Sequence, residues 1–245
     1  MATKSLLSIT DLLEQSWSHV QTHASVLMKR SSWFIALALA SFALHAIAYA
    51  LPETAAPVLR LLDGIFIQLV GTTWVTLRIT QAILSQETGD VRLDQPSRRL
   101  LGSYFLVTIL VGLATLGGSL VFLLPGIWLG IALSFSHLLV IEDDQRGTQA
   151  LAASADLVKG RWWATFLRLA VPGFVILCLF FLISSLLNGL VSIIAGYSPA
   201  DVVAEYAAQF WWSSPPKQVL LALGANQAIS AIAMTLFAPL FISLS

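Results

Sequence analysis

Residues 100–141 read LLGSYFLVTILVGLATLGGSLVFLLPGIWLGIALSFSHLLVI and contain no Asp, Glu, Lys or Arg. About 20 apolar residues suffice for a helix to cross ~30 Å of hydrocarbon. The first arm, 100–124, is therefore a full membrane span. Pro125-Gly126 follows, where proline presets φ and glycine frees the next residue, a pattern that predicts a tight turn. The second arm, 127–141, barely crosses at ~1.5 Å per residue and reads as the return arm of a hairpin.

The rest of the chain fits that beginning. Of 245 residues, 57% are hydrophobic and 11% charged, with mean hydropathy +0.82. A soluble domain carries about 25% charged residues because its surface faces water. Here lipid must solvate most of the exterior. The formal net charge is zero, which removes the electrostatic case for nucleic-acid binding. The single cysteine, Cys178, cannot form an internal disulfide or a cysteine metal cluster. The first ~30 residues are polar and amphipathic, unlike a cleavable signal. The two asparagines, Asn188 and Asn226, form no glycosylation sequon, which fits a bacterial origin.

Hydropathy predicts an all-α integral membrane protein, one polytopic domain over 1–245 with six transmembrane helices. The spans are 33–51, 58–84, 100–124, 127–141, 164–194 and 218–243. Pro172 should kink the fifth and free the carbonyl of Arg168. With the N-terminus inside, one side collects Lys4, Lys29, Arg30, Arg92, Arg98, Arg99, Arg146, Lys159, Arg161 and Arg168. The other collects Arg60 and Lys217, and Arg78 lies within a span, near enough to its inner end to snorkel. This asymmetry places both termini in the cytoplasm.

Three further segments read as interfacial helices. In SITDLLEQSWSHVQTHASVLMK the apolar residues Ile9, Leu12, Leu13, Trp17, Val20, Ala24, Leu27 and Met28 recur at helical spacing. In SPADVVAEYAAQFWW, Ser198 caps, and Tyr206, Phe210, Trp211 and Trp212 suit the outer headgroup level. After VIEDDQRG, Thr148 is the expected cap of a cytoplasmic helix. Its stripe is Leu151, Ala155, Val158 and Trp162, it ends near Gly160, and Trp162-Trp163 serve as interfacial anchors. Leu13-x-x-Ser16 echoes Leu151-x-x-Ser154, a two-residue hint of a repeated amphipathic entry.

Few residues carry chemistry. P-loop, G-x-S-x-G, HExxH and cysteine–histidine metal spacings are missing, so the expectation is no enzyme, no catalytic or metal residue and no cofactor. Glu142, Asp143 and Asp144 point about 100° apart on a helix end and read as a solvated loop. Arg60 and Asp63, three apart, read as an ion pair on one helical face. His45, Gln68, Asn188, Asn226 and Gln227 are the candidate intramembrane polar site. Their bland reading is hydrogen bonding between helices; converging on one cavity, they would suit a neutral or lipid-like solute. His137 reads as a packing residue, and Gly112, Gly117, Gly118 and Gly189 as sites of close helix packing.

The run from Leu123 to Trp163 resembles a bacterial family of six-span inner-membrane proteins. These include the membrane domain fused to some glycerophosphodiester phosphodiesterases and related uncharacterised inner-membrane proteins. Pro125, Gly126, Glu142, Gly147, Ala150, Ser154 and Gly160, with Trp162-Trp163, carry the resemblance. It implies an inner-membrane protein connected with envelope or lipid homeostasis, and the phosphodiesterase activity does not carry over. The expected function is a non-catalytic scaffold, accessory or sensor module; the alternative is a small transporter or permease for a neutral or lipid-like solute. Expected partners are the lipid bilayer, with lipids or another membrane protein, and no nucleic acid.

Overall fold

The computed structural model describes residues 8–50, 56–90, 92–93, 98–143, 145–195, 231–235, 237–239 and 242, excluding the side chains of 48–49, 56–57, 60, 98–99, 187–188 and 191–195. Among the described residues every element is helical. The order is α1 (Ile9–Thr22), α2 (Ala24–Ser31), α3 (Trp33–Ala50), α4 (Ala56–Leu62), a π-helical stretch (Asp63–Gly71), α5 (Thr72–Thr88), α6 (Arg98–Val121), α7 (Leu123–Ala132), α8 (Ser136–Glu142), α9 (Thr148–Val158) and α10 (Trp162–Ala195). Among the described residues, four stretches are long and apolar enough to cross a membrane: Ala24–Ile47, Leu100–Val121, Leu123–Glu142 and Trp162–Leu186. The expected second span, 58–84, is helical but is not among them, and most of the expected sixth, 218–243, lies outside the described residues. The outer helix expected over 198–212 lies outside them as well.

The chain divides into two compact units. One comprises Met1–Arg30, Thr76–Ile176 and Pro239–Ser245, the other Ser31–Val75 and Leu177–Ala238. In the first, α6 and α7 pack as a hairpin, and α8 and α9 close on its base. The core at that base joins Leu77 and Leu84 of α5, Tyr104 and Val107 of α6, Val140 and Ile141 of α8, and Ala150 of α9. Both faces of α5 are used: Leu77, Ile79, Thr80, Gln81, Ala82, Ile83, Leu84 and Ser85 are all buried. The expected span 58–84 is thus divided: its α5 part is enclosed by protein, whereas Val58, Leu61, Ile65 and Phe66 before it are exposed.

The hairpin turn is not at Pro125-Gly126. The chain reverses at Phe122, which is extended (φ −159°, ψ 150°), and both Pro125 and Gly126 lie in the first turns of α7. Proline is tolerated there because the first amides of a helix have no intrahelical acceptor. Gly126 serves a different purpose: a Cβ on it would stand 2.8 Å from the amide nitrogen and 2.9 Å from the Cα of Ser119. The two arms therefore meet backbone to backbone, Gly126 against Gly118 and Ser119, as small residues allow within membranes. Gly112, Gly117 and Gly189 have nothing within 4 Å of where a Cβ would point, so close packing explains Gly118 alone of the four.

The return arm is broken. Leu133, Ser134 and Phe135 form a turn between α7 and α8, so 127–141 is two short helices rather than one. The α9 segment also departs from its reading. Gly147 (φ +51°) is its N-cap and Thr148 its first helical residue, with no side-chain cap bond. The face of α9 that packs inward is Ala150, Ser154 and Val158, one position off the Leu151–Ala155 stripe. Gly160 (φ +77°) adopts the left-handed backbone that ends the helix as expected.

Ser8 caps α1 by accepting from the amide of Asp11 at 3.1 Å. The N-terminal amphipathic segment is two helices, interrupted at His23. Its inward residues include Ser16 and Leu27, whereas Trp17 is half exposed. In α10 the helix continues through Pro172 as one element, and the Arg168 guanidinium donates to the carbonyl of Ala164 at 3.1 Å.

Candidate functional site

Two of the five expected intramembrane polar residues meet on a third residue in the second unit. His45 lies four residues after Ser41, hence above it on the same face of α3. Its Nδ1 is 2.9 Å from the Ser41 carbonyl, which can only accept, so Nδ1 carries the proton and Nε2 of the neutral ring is the acceptor. Gln68, on the π-helical stretch, donates from Nε2 to the Ser41 hydroxyl at 3.4 Å. Ser41 is fully buried. The approach of the two elements is tight: a Cβ on Gly71 would stand 2.6 Å from a methyl of Leu37, one turn before Ser41.

The π-helical winding matters for what lies beside them. Residues five apart are hydrogen-bonded neighbours on a π-helix, whereas on an α-helix they would point roughly 140° apart. Asp63 and Gln68 are five apart, so the winding brings them closer to one face than an α-helix would. Asp63 is 7% exposed, and among the described residues its Oδ1 has no hydrogen-bond partner. The side chain of Arg60, its expected ion-pair partner, lies outside the described residues, as do Asn226, Gln227 and the side chain of Asn188. The arrangement around Ser41 joins α3 to the π-helical stretch through the Gln68 amide, with His45 held on the same face of α3.

The first unit carries a separate polar seam at the base of the hairpin. Ser154, 0% exposed, reaches into the break between α7 and α8. Its hydroxyl donates to the Ala132 carbonyl at 2.8 Å and accepts from the Phe135 amide at 3.2 Å. One side chain thus satisfies the last free carbonyl of one helix and the first free amide of the next. Beside it, the Thr108 hydroxyl donates to the Tyr104 carbonyl at 2.9 Å and lies 3.1 Å from Nε2 of His137. Thr108 has one proton and gives it to the carbonyl, so the imidazole donates from Nε2. The rings of His137 and Tyr104 are 4.9 Å apart, which agrees with the packing role expected of His137.

On α5, Gln81 links two segments. It is 1% exposed, accepts from the Arg78 guanidinium at 2.8 Å and donates to the Leu93 carbonyl at 2.8 Å. Arg78 is half-buried and engaged with Gln81. A third cluster joins α1 to the end of α5. His19 Nδ1 is 3.9 Å from Glu87, and the rings of His19 and His23 are 4.6 Å apart. Burial, the larger cause, lowers the His19 pKa from 6.5; Glu87 opposes it, and His23 adds to it.

Of the residues that carry the expected resemblance, all but the exposed Glu142 act on the backbone or the core. Gly126 permits contact, Gly147 and Gly160 bound α9, Ala150 packs and Ser154 stitches. Glu142 and Asp143 are exposed, and among the described residues no three His, Cys, Asp or Glu side chains converge. Trp162 donates from Nε1 to the Trp128 carbonyl at 3.3 Å, and Trp163 is largely exposed. Trp211 and Trp212 lie outside the described residues. Ser41, Asp63 and Gln81 had not been singled out as sites. Ser41 had one usable signal, its i to i+4 spacing from His45. No known protein family, curated protein or solved structure matches the sequence.

Proposed function

We propose that the chain is a non-catalytic inner-membrane protein of bacterial type, acting as a scaffold, accessory or sensor module in envelope or lipid homeostasis. Six apolar segments enter the membrane, both termini are cytoplasmic, and α1 and α9 lie along the cytoplasmic interface. The Lys and Arg distribution supports that sidedness, and the resemblance carried by Pro125, Gly126, Gly147, Ser154 and Gly160 supports the family.

One observation carries the functional choice. Three polar side chains of the first unit join one element to another: Ser154 bonds the backbone of Ala132 and Phe135, Gln81 that of Leu93, and Thr108 meets His137. Groups committed in this way fix helices to one another. A module of this kind works through what it holds at the bilayer. Native mass spectrometry of the protein extracted in mild detergent should show a retained lipid or protein partner; repeated isolation of a bare chain would sink the reading.

A second reading rests on Asp63. A buried carboxylate whose Oδ1 has no partner among the described residues, on the same π-helical stretch as Gln68, is what a small transporter or permease for a neutral or lipid-like solute could use. Uptake into proteoliposomes that is lost in Gln68→Leu and Asp63→Asn would support it; uptake unchanged by both would remove it.

A further inference from the structure

The hairpin of α6 and α7 has two ends of opposite character. Towards its base, Tyr104 and Val107 are enclosed by α5, α8 and α9. Beyond Val111, which still packs on that core, Leu113, Leu116, Leu120, Phe122 and Leu124 are exposed, Leu120 to 88%. From Gly112 to Val121 is about 15 Å of helix, and the 10 residues of α7 span about 15 Å. The whole arms, Leu100–Val121 and Leu123–Glu142, are long enough to cross, but neither of these outer parts covers the ~30 Å of a hydrocarbon core.

The turn itself is unlike one that faces water. Val121-Phe122-Leu123-Leu124 contains no polar side chain, and all four are largely exposed. The Ser119 hydroxyl near it stays within the hairpin, donating to the Thr115 carbonyl at 2.8 Å. Pro125 removes one amide from the first turn of α7, where it would lack an acceptor. The backbone groups still unmet at the turn favour a position near the headgroups over the dry midplane.

A depth marker lies on the same unit. Trp162 hydrogen-bonds the carbonyl of Trp128, and its ring stacks on Phe166 at 5.3 Å and meets Trp163 at 4.8 Å. Such an aromatic cluster prefers the headgroup boundary. Only Leu123–Ile127 extends past Trp128, about 8 Å of helix. That is the depth of an element lying in one leaflet.

We propose that the α6–α7 hairpin is a re-entrant wedge: its tip, Val121–Leu124, is seated among the acyl chains of one leaflet and does not emerge on the far side. The partner of this surface is the lipid chain region of the leaflet that also holds Trp162 and Trp163. The charge asymmetry is indifferent to the change. Residues before 100 and after 141 face the same side whether the hairpin crosses twice or not at all, and the turn holds no Lys or Arg.

The inference rests on the membrane reading above, and the two fail in different ways. Cys178→Ser gives a cysteine-free background, into which Val121→Cys, Leu124→Cys and Asp143→Cys are placed one at a time in the full chain. In proteoliposomes, an impermeant maleimide should modify Asp143→Cys from one face and neither tip cysteine from either face. An environment-sensitive fluorophore attached in detergent at the tip positions should emit as in hydrocarbon after reconstitution. Modification of a tip cysteine from the face opposite Asp143→Cys would show a full crossing and overturn the wedge. Modification from the same face would show a tip outside the lipid and overturn it equally. Release of the whole chain by alkaline carbonate would defeat the membrane reading itself.

Discussion

The two ends of the α6–α8 hairpin solve the same problem, holding two helices together, by different means. At the base the arms are separated by side chains and linked by hydrogen bonds: Ser154 spans the break, and Thr108 meets His137. Towards the tip no polar bond links the arms, and Gly126 instead brings the α7 backbone against Gly118 and Ser119. The base depends on α9 and α5; the tip depends only on itself. Contact between backbones tolerates no added volume, whereas a hydrogen-bonded seam tolerates no lost partner.

That contrast can be broken at either end. Gly126→Val should have the largest effect, because its Cβ falls within 3.0 Å of backbone that cannot rotate away. A loss of about 3 kcal/mol is expected for such overpacking, read as the unfolding midpoint in detergent. Ser154→Ala should follow at about 2 kcal/mol, since it leaves a carbonyl and an amide unmet in a buried place. Hydrogen exchange should then accelerate at the Phe135 amide and remain unchanged at the tip. Gln81→Leu, which removes one acceptor from Arg78 and the donor to the Leu93 carbonyl, should cost about 1 kcal/mol.

Further from the hairpin, the α1 contact should respond to pH. The lowered His19 pKa means that the unfolded chain binds the proton more readily than the folded one. The contribution of neutral His19 is therefore complete above pH 6.5 and is lost as pH falls through its lowered folded value. Wild-type stability should decline over that window and His19→Gln should decline less; equal slopes would show that His19 does not report on α1. The smallest effect belongs to Gly117→Ala, adjacent to Gly118 but facing open space, which should stay within about 0.5 kcal/mol of wild type. A large loss there would mean that the tip is packed against something more than its own arms.

The sequence was most informative where long apolar runs met charged boundaries. The runs beginning at Trp33, Leu100 and Trp162 are helices close to their expected limits, because hydrocarbon-length hydropathy has few other solutions. It was least informative about what interrupts a helix. Pro125-Gly126 has the composition of a turn and sits inside α7, because glycine is equally suited to a close crossing. Nothing local marks the break at Leu133–Phe135, since its cap comes from Ser154, 19 residues after Phe135. The candidate site was partly visible: His45 and Gln68 were singled out, but Ser41, which joins them, is an ordinary small residue in an apolar run. The π-helical turn that carries Asp63 and Gln68 leaves no period in the sequence to detect. Ser16 and Ser154, the pair that hinted at a repeat, are both buried, although only Ser154 has a defined role.

The break at Leu133–Phe135 has a mechanical consequence. Two stiff rods joined by a corner form a lever, and this corner is held from outside by a hydroxyl on α9. The hydroxyl that holds the corner belongs to a face of α9 that is itself buried, with Ala150, Ser154 and Val158 almost fully enclosed, so α9 and the corner form one block. The angle between the rods is therefore set by α9, and the place of Phe122 at the far end of α7 is set with it.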